Sequence, residues 1–497
     1  MEKIGFDNAL YIQKQSAQIL SRIAEFGGKL YLEFGGKLFD DYHASRVLPG
    51  FQPSSKIHML KQLREQVEII LAISADHIEK NKRRGDLGIT YDQEVLRLID
   101  AFQSLDFTVG SVCITKFDGQ QTALNFQERL RKLGVAVYRH YPIEGYPANL
   151  PYIVSEEGFG KNDYIETQKP LVVVTAPGPS SGKMATCLSQ LYHEHRRGIS
   201  AGYAKFETFP VWNLPIKHPV NLAYEAATVD LRDVNMIDPF HLEAYGEVGV
   251  NYNRDVEIFP VLSAMFERIF GASPYKSPTD MGVNMAGYCI VDDAVCQEAS
   301  LQEILRRYYR TRFDIKVGRM DSDAMYRMEM VMSQSGADIA QRAVVMPALQ
   351  KEAETGEPAA AIQLRDGRVI TGKTSDLLGA SSAALLNCLK VLADIPDPVL
   401  LIPPSVLEPI QALKVGHLGN RNPRLHTDET LIALAVSAGT NAIAARALEQ
   451  LPGLRGCEAH STVILSPVDS DLFRKLGVNL TVESVYERKN LYHKGSL

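Results

Sequence analysis

The sequence predicts a multidomain α/β protein with a parallel sheet, Rossmann-like or P-loop-like, and a smaller C-terminal α/β domain. Two observations support this prediction. Apolar runs suited to buried strands alternate with helical patterns over the first 170 residues, and the run at 171–177 leads through a Gly/Pro/Ser loop into a helix. The length of 497 residues suggests about three domains at roughly 150 residues each. We expect domains at 1–170, at 171–345 with an irregular insertion at 210–260, and at 346–497.

Helices and strands are predicted in turn along the N-terminal part of the chain. Apolar residues at helical spacing indicate a helix, and a short continuous apolar run indicates a strand buried on both faces. In chain order, we expect a helix at 56–66, a strand at 68–74, a helix at 92–105, a strand at 109–115, a helix at 120–133, and strands at 135–141 and 171–177.

The chain beyond residue 200 is less regular. The segment 210–260 is rich in Pro, Asn, Asp and aromatic residues, and a long irregular stretch inside a compact protein is usually a functional loop or an insertion. Periodic patterns then return. We expect helices near 255–270, 298–313, 322–334 and 338–355, a hairpin at 361–371, helices at 380–393 and 428–450, and a strand at 461–465.

Charge and cysteine content exclude several classes of protein. Lys and Arg number 53 against 59 Asp and Glu, so the net charge is −6, which does not favour binding to nucleic acid or to an anionic membrane. The six cysteines form no Cys-x-x-Cys pair, and the chain starts without a signal-peptide pattern. No apolar run of 18 residues is present. We expect a cytoplasmic protein with no nucleic-acid or membrane partner.

The segment LVVVTAPGPSSGKMATCLSQLY at 171–192 is the most informative one. It reads as a strand, a loop and a helix, and free N–H groups at a helix N-terminus favour an anion. Lys183 would give a phosphate a point charge, and Thr186 would bind phosphate or Mg²⁺. The residues expected to bind phosphate in this loop are Gly178, Ser180, Ser181, Gly182, Lys183 and Thr186.

This loop departs from the Walker A pattern G-x-x-x-x-G-K-[ST]. Its first gap is one residue short, and Met184 stands where Ser or Thr is expected. The alternative interpretation is a tight turn with a solvent-facing lysine. A second segment, GRVITGKT at 367–374, fits the pattern completely. However, Asp366-Gly367 is typical of a hairpin turn, so we predict a strand there and not a triphosphate loop.

The same loop also fits the nucleophile elbow G-x-S-x-G, which would make Ser180 a nucleophile. Asp428 and His460 follow in the order that such a hydrolase needs. Lys183 directly after the elbow favours phosphate over an acyl group. A hydrolase or phosphatase therefore stays as an alternative to phosphoryl transfer.

Lys205 and Glu207 are expected to face the substrate. They lie in the aromatic-rich segment YAKFETF, which predicts a strand, and period-two alternation puts both side chains on one face. Ligands of open α/β sheets bind at the carboxyl ends of strands. The alternative is an exposed ion-pair ladder on an edge strand. We name Lys183, Lys205 and Glu207 as the candidate catalytic residues.

Two further groups of residues are candidates for ligand binding. Asp238 and His241, in ATVDLRDVNMIDPFH, form a mixed carboxylate and imidazole pair that suits Mg²⁺, Mn²⁺ or Zn²⁺, although turn capping by Asp is the simpler explanation. Arg421 and Arg424, in HLGNRNPRLH, suit an anion-binding loop. An ion-pair loop between domains or subunits is the alternative.

Several long motifs resemble one bacterial family. They are LYLEFGGKL, RRGDLGITYDQEVLRLID, VVVTAPGPSSGK, GYAKFETFPVWNLP and HPVNLAYEAAT. Together they resemble uncharacterised proteins of about 500 residues that are grouped as a domain of unknown function. The resemblance covers the whole chain and implies a bacterial cytoplasmic protein, but no activity. The loop of that family follows GPGSGK; Ser180 departs from it, which argues against a nucleophilic Ser180. The loop is also loosely similar to dethiobiotin-synthetase-like P-loop enzymes, as a fold-level analogy.

These observations lead to one functional expectation. We expect a phosphate- or nucleotide-binding enzyme, a phosphotransferase or ligase, that uses Mg²⁺ and ATP on a small polar metabolite. Lys183 and the loop amides would stabilise charge on the phosphate. A hydrolase or phosphatase, and a non-catalytic protein that binds a phosphorylated metabolite, are the alternatives. We also expect a homo-oligomer.

Overall fold

The computed structural model describes residues 3–36, 38–39, 41–84 and 88–487. The chain divides into two compact units. The N-terminal unit comprises Met1–Glu225 with Arg232–Ser300, and the C-terminal unit comprises Ala226–Leu231 with Leu301–Leu497. Each unit is described below by itself. No helix among the described residues is both long enough and apolar enough to span a lipid bilayer.

The strands follow one another along the chain in this order: β1 (Leu30–Phe34), β2 (Val67–Ser74), β3 (Thr108–Thr115), β4 (Ala136–Arg139), β5 (Leu171–Thr175), β6 (Gly202–Phe206), β7 (Asn235–Ile237), β8 (Val250–Tyr252), β9 (Gly282–Val283), β10 (Ala359–Gln363), β11 (Val369–Lys373), β12 (Glu458–Ser461) and β13 (Asn479–Val482).

The helices of the N-terminal part are α1 (Asn8–Glu25), α2 (Tyr42–Val47), α3 (Ser55–Gln62), α4 (Ala75–Glu79), α5 (Tyr91–Gln103), α6 (Gln121–Lys132), α7 (Leu150–Ile153), α8 (Lys183–Arg196), α9 (Pro219–Ala227), α10 (Pro239–Tyr245), α11 (Asn253–Phe270), α12 (Pro278–Met281) and α13 (Asp293–Lys316). Those that follow are α14 (Asp323–Ser335), α15 (Val345–Thr355), α16 (Ala380–Leu392), α17 (Pro404–Ala412), α18 (Thr427–Ala438), α19 (Ala442–Leu448) and α20 (Pro467–Lys475).

The N-terminal unit is built on a parallel sheet of seven strands in the order β4-β3-β2-β5-β1-β6-β9. Every residue of β1, β2 and β5 is buried, as expected for parallel strands covered by helices on both faces. Helices α8 and α11 pack on the face that carries Tyr31, Val172 and Tyr203. The predicted parallel α/β fold is therefore confirmed.

One predicted domain boundary needs correction. Strand β5 starts at residue 171, where we expected a new domain, but it lies between β2 and β1 in the middle of the sheet. Residues 1–170 and the chain after them therefore share one sheet. The division between the compact units falls near residue 300 and not at 345. The segment 210–260 also contains regular structure, namely α9, β7, α10 and β8.

The C-terminal unit has a smaller mixed sheet in the order β11-β10-β12-β13. Strands β10 and β11 form the expected hairpin, with Gly367 at φ 90° in its turn. The segment predicted as one helix at 428–450 forms two, α18 and α19, separated by Gly439, Thr440 and Asn441. The strand predicted at 461–465 lies earlier, at Glu458–Ser461.

Candidate functional site

The sheet of the N-terminal unit has a switch point between β2 and β5. The chain leaves β2 toward β3 and leaves β5 toward β6, on the opposite side. Strands that send the chain in opposite directions leave a crevice at their carboxyl ends, and ligands of open α/β sheets bind in such crevices. The loop 176–182, which joins β5 to α8, lies at this crevice.

The loop is held in shape by side chains that point into it. The Thr115 hydroxyl at the end of β3 donates to the Ser181 carbonyl at 2.8 Å, and the Ser181 hydroxyl donates to the Gly178 carbonyl at 3.0 Å. Ser180 and Gly182 both take left-handed conformations, with φ of 59° and 88°. Alternation of right- and left-handed residues turns successive N–H groups toward one side and forms an anion-binding nest.

The backbone N–H groups at the end of this loop have no partner in the described part of the chain. Among the residues that the structure describes, no acceptor lies within hydrogen-bond reach of the backbone N–H groups of Ser180, Ser181, Gly182 or Lys183. Ser180 is exposed and Gly182 is half-buried, so the loop is open to solvent. Four unpaired donors at the start of a 14-residue helix are the elements of a phosphate site.

Lys183, the first residue of α8, approaches a buried carboxylate. Its Nζ lies 4.0 Å from Oε1 of Glu33, which ends the apolar run of β1 beside β5. The Tyr203 hydroxyl donates to Oε2 of Glu33 at 2.8 Å. Burial and the negative charge of Glu33 hold the pKa of Tyr203 well above its ordinary value, so this hydroxyl stays protonated and orients the carboxylate.

Lys205 lies one strand further along and forms a second charged cluster. Its Nζ lies 2.5 Å from Oε1 of Glu207 and also pairs with the Asp255 carboxylate. Burial lowers the pKa of Lys205, but the carboxylates of Asp255, Glu207 and Glu33 outweigh it and hold that pKa above its ordinary value. Burial raises the pKa of Glu207 to about 7, against the attraction of Lys205. Glu207 can therefore exchange a proton near neutral pH.

The two clusters share one edge of the sheet. Glu33 and Lys205 are register partners on the paired strands β1 and β6, so their side chains lie on the same face. Lys183 comes from the first turn of α8, and Asp255 from the first turn of α11. The sheet thus brings Lys183, Lys205 and Glu207 to one edge and adds Glu33 and Asp255.

Thr186 lies outside this edge. Its hydroxyl donates to the Gly182 carbonyl at 3.0 Å inside the first turns of α8, and the residue is completely buried. The side chain therefore stabilises the start of the helix and does not face the loop surface. The expectation that Thr186 binds phosphate or Mg²⁺ is corrected accordingly.

Asp238 and His241 have structural roles. Asp238 caps α10: one carboxylate oxygen accepts the N–H groups of Phe240 and His241 at 3.0 Å each, and the other accepts the N–H and hydroxyl of Thr279. His241 Nδ1 lies 3.1 Å from the Ser277 hydroxyl. Across the described ranges no three His, Cys, Asp or Glu side chains converge as a metal site. Capping therefore replaces the expected metal role.

The two arginines belong to the C-terminal unit. Arg424 pairs with the Glu487 carboxylate and donates to the Ser375 carbonyl at 3.0 Å, which makes it an ion-pair residue within that unit. Arg421 is exposed. The expected anion-binding role of Arg424 is corrected by these contacts, because its guanidinium is already paired.

The nucleophile-elbow interpretation requires a base at Ser180. No described side chain hydrogen-bonds to the Ser180 hydroxyl, so no described base activates it. His460 is fully buried in β12 of the C-terminal unit, where its Nδ1 lies 3.0 Å from the Thr481 hydroxyl. The geometry of the loop favours binding of an anion by backbone amides over attack by a serine.

Glu33 and Asp255 are the site residues that sequence reasoning missed. The run Leu30-Tyr31-Leu32 comes directly before Glu33 in β1, but its sequence does not predict a strand, because the polar segment EFGGK at 33–37 follows it. Lys37 of that segment lies outside the described residues. Asp255 is 50 residues from Lys205, and no local pattern connects the two.

Comparison with known proteins places the chain among bacterial relatives. A family model described as domain of unknown function DUF1846, N-terminal, matches residues 4–336, and the corresponding C-terminal model matches residues 340–492. UPF0371 proteins of Streptococcus sanguinis (strain SK36) and Streptococcus pyogenes serotype M5 (strain Manfredo) are each 57% identical over 494 residues. That of Streptococcus pneumoniae serotype 4 is 58% identical. Each alignment covers 99% of this chain and 100% of the relative.

Proposed function

The chain belongs to the DUF1846 family, and we propose that it is a phosphate-binding enzyme that transfers a phosphoryl group from a nucleotide to a small polar molecule. The observation that carries the proposal is that the N–H groups of Ser180, Ser181, Gly182 and Lys183 have no partner within the described ranges. A phosphate group accepts such hydrogen bonds, and the dipole of α8 adds favourable charge.

Lys183 supplies the positive charge beside this nest. Its side chain is largely buried, at 15% exposure, and reaches the crevice next to Glu33. A lysine in this position neutralises charge on the phosphate as the bond to the leaving group breaks, which is the main contribution of a protein to phosphoryl transfer. The lysine and the amides act on the same group from two sides.

Glu33 supports the expectation of Mg²⁺ and ATP. It lies near the end of β1, the strand directly beside the loop strand, and P-loop enzymes likewise use an acidic side chain to hold Mg²⁺. Magnesium is commonly held by one or two carboxylates together with phosphate oxygens and waters. Glu33 would be the protein ligand of such an ion, which would neutralise charge on the phosphates.

The cysteines support a reducing compartment. All six are unpaired and buried, as is usual for proteins of the cytoplasm and unusual for secreted ones. Burial raises the pKa of the Cys113 thiol to about 12, so this residue, although near the loop, is no nucleophile at neutral pH. We propose a cytoplasmic protein whose ligand is a nucleotide or another phosphorylated small molecule.

The test is the thermal stability of the purified chain with ATP, GTP, a phosphosugar or inorganic phosphate, each with and without Mg²⁺. A ligand at 100 times its Kd adds about 2.7 kcal/mol of stability. We expect Mg²⁺-dependent stabilisation by a nucleotide that Lys183→Ala abolishes. Lys373→Ala is the matched control, because Lys373 also follows a glycine but is exposed on β11.

Other results would replace the proposal. Stabilisation by phosphate or a phosphosugar alone would favour a phosphatase or a non-catalytic binding protein. A folded chain that no phosphorylated compound stabilises would contradict a phosphate site altogether. An equal response of the Lys183→Ala and Lys373→Ala variants would exclude Lys183 from the site.

A further inference from the structure

A cavity of the N-terminal unit lies between α10, the second half of α11 and the loop that follows α11. Its volume of about 730 Å³ is within the range typical for sites of small-molecule ligands. None of the residues to which the proposed function assigns a role lines it. The lining residues that the argument uses are Phe240, Glu243, Phe259, Glu267, Tyr275 and Lys276.

One wall of the cavity is aromatic. The rings of Phe240 and Phe259 pack with their centroids 4.9 Å apart. The Tyr275 hydroxyl accepts the backbone N–H of Tyr203 at 3.0 Å and donates to the carbonyl of the same residue on β6. Because its polar end is fixed on the sheet, Tyr275 offers the cavity only its ring. Aromatic rings of this kind take apolar groups and cations.

Two carboxylates stand at the same cavity without a partner. Glu243 on α10 and Glu267 on α11 are exposed, and within the described ranges neither side chain forms an ion pair or a hydrogen bond. The cavity also includes Gly271, which ends the 18-residue helix α11. The last carbonyls of a helix carry a partial negative charge and favour a cation.

The positive charges nearby do not balance these carboxylates. Lys276 is the one cation that lines the cavity in the described chain, and its Nζ lies 5.4 Å from the centre of the Tyr245 ring, which is not part of the lining. Arg268, the basic residue in the last turn of α11, does not line the cavity either. The carboxylates outnumber the ammonium group, so the cavity favours a positively charged ligand.

We propose that this cavity binds an aliphatic polyamine, a chain of methylene groups that carries two or more ammonium groups. The ammonium groups would donate charge-assisted hydrogen bonds to Glu243 and Glu267. The methylene groups between them would pack on the aromatic wall. This inference does not depend on the proposed function, because the two sites share no residue.

Other ligand classes fit these walls less well. A neutral ligand would cover the two carboxylates without pairing them, and burial of an unpaired charge is costly. A bare metal ion needs several oxygen or nitrogen ligands, and no three His, Cys, Asp or Glu side chains converge as a metal site among the residues that the structure describes. An anion would be repelled by both carboxylates.

The test is calorimetric titration of the full chain with spermidine, without nucleotide and at constant ionic strength. We expect saturable binding of one spermidine per chain. Glu243→Gln and Glu267→Gln should each weaken it about tenfold, because each removes the charge from one hydrogen-bond acceptor. Glu257→Gln is the matched control, since Glu257 is exposed on α11 and does not line the cavity. It should bind spermidine like the parent.

Two further measurements test the shape of the site. Ala244 is exposed on α10 and lines the cavity, so Ala244→Phe fills part of the space without a change of charge and should abolish binding. Pentane-1,5-diol, which has the methylene chain but no charge, should not bind. Mg²⁺, which has the charge but no chain, should not displace spermidine.

Four results would overturn the inference. They are a folded parent that shows no saturable binding, an Ala244→Phe variant that binds like the parent, displacement of spermidine by Mg²⁺, and a Glu257→Gln variant that loses as much affinity as Glu267→Gln. The last two would indicate general attraction to an acidic surface. Binding of a lysine-rich peptide but not of spermidine would replace the polyamine by a basic segment of a partner protein.

Discussion

Two Gly-Lys pairs of this chain have opposite surroundings. Gly182-Lys183 begins α8 after an irregular loop, and the N–H groups of residues 180–183 meet no acceptor among the described residues. Gly372-Lys373 ends β11, where the register with β10 is antiparallel and unbroken, and the next N–H, of Thr374, donates to the Pro358 carbonyl at 2.8 Å. Lys183 is largely buried beside a carboxylate, whereas Lys373 is exposed.

The difference shows what makes a phosphate loop. The segment that contains Gly372-Lys373 satisfies the Walker A pattern at every position, and the one that contains Gly182-Lys183 does not. A strand uses its amides in the ladder and has none for an anion, so the pattern alone has no chemical meaning there. Unpaired amides at the start of a helix are the physical requirement. The following predictions test the comparison, beginning with the largest effect.

Gly372→Ala should destabilise the protein most. A Cβ at Gly372 would lie 2.1 Å from the backbone nitrogen of Ala384 in α16, and neither the strand nor the helix can move without loss of packing. We expect a cost of about 3 kcal/mol, the upper range for overpacking, measured by urea unfolding. The folded protein should still bind Mg-ATP. If this variant lost nucleotide binding at unchanged stability, the nucleotide would bind at Gly372-Lys373 and not at Gly182-Lys183.

Gly182→Ala should cost less stability but abolish the ligand response. Gly182 has φ 88°, and a Cβ there would lie 2.8 Å from the Thr115 hydroxyl oxygen that holds the loop. We expect a loss of about 2 kcal/mol from backbone strain. Gly367→Ala is the matched control, with φ 90° and no atom within 4 Å, and should lose about 1 kcal/mol with nucleotide binding intact. If Gly182→Ala still bound the nucleotide, the result would contradict phosphate binding by the loop N–H groups.

Local sequence patterns predicted the regular part of the sheet. Strands β2 and β5 consist mostly of β-branched and aliphatic residues and are buried throughout, and β3 is buried from Ser111 onward, as is typical of parallel sheets. The strand β1 is not predicted although it lies beside the central strand β5, because LYLEF is short and two glycines follow it. Strand order is a property of pairing between distant segments, so the domain boundary at 170 could not be corrected from the sequence.

Site residues were predictable only where chemistry and pattern coincide. Lys183 lies where a recognisable strand and loop lead into a helix. Lys205 and Glu207 are two residues apart on one predicted strand. Asp255 joins them only because the fold brings the first turn of α11 next to Lys205 near the end of β6. Asp238 has the residue type of a metal ligand, but its position before Pro239 makes it a cap. Residue type alone does not distinguish these two uses of a carboxylate.

The pH dependence of phosphoryl transfer should follow Glu207. The charged groups that face it are Lys205, Asp255 and Glu33, and burial raises its pKa to about 7. A base acts in its deprotonated form, so we expect the rate to rise about tenfold per pH unit below 7 and to level above it. Glu207→Gln should remove that rise. In the hairpin, hydrogen bonds from Arg368 lower the pKa of Asp366, so Asp366→Asn is the control and should leave the profile unchanged.

Ser180→Gly should have the smallest effect and is the sharpest test of the alternative chemistry. Ser180 is exposed at φ 59°, a conformation that costs most residues about 1 kcal/mol and glycine nothing. The greater entropy of glycine in the unfolded chain offsets part of that gain. We therefore expect a change in unfolding free energy of only a few tenths of a kcal/mol, with nucleotide binding and transfer within twofold of the parent. The nest uses the N–H of residue 180 and not its hydroxyl, whereas a nucleophilic elbow uses only the hydroxyl. A fall in turnover of several orders of magnitude with unchanged nucleotide binding would establish a covalent mechanism at Ser180. It would exclude the proposed phosphoryl transfer in which the loop amides only bind the phosphate.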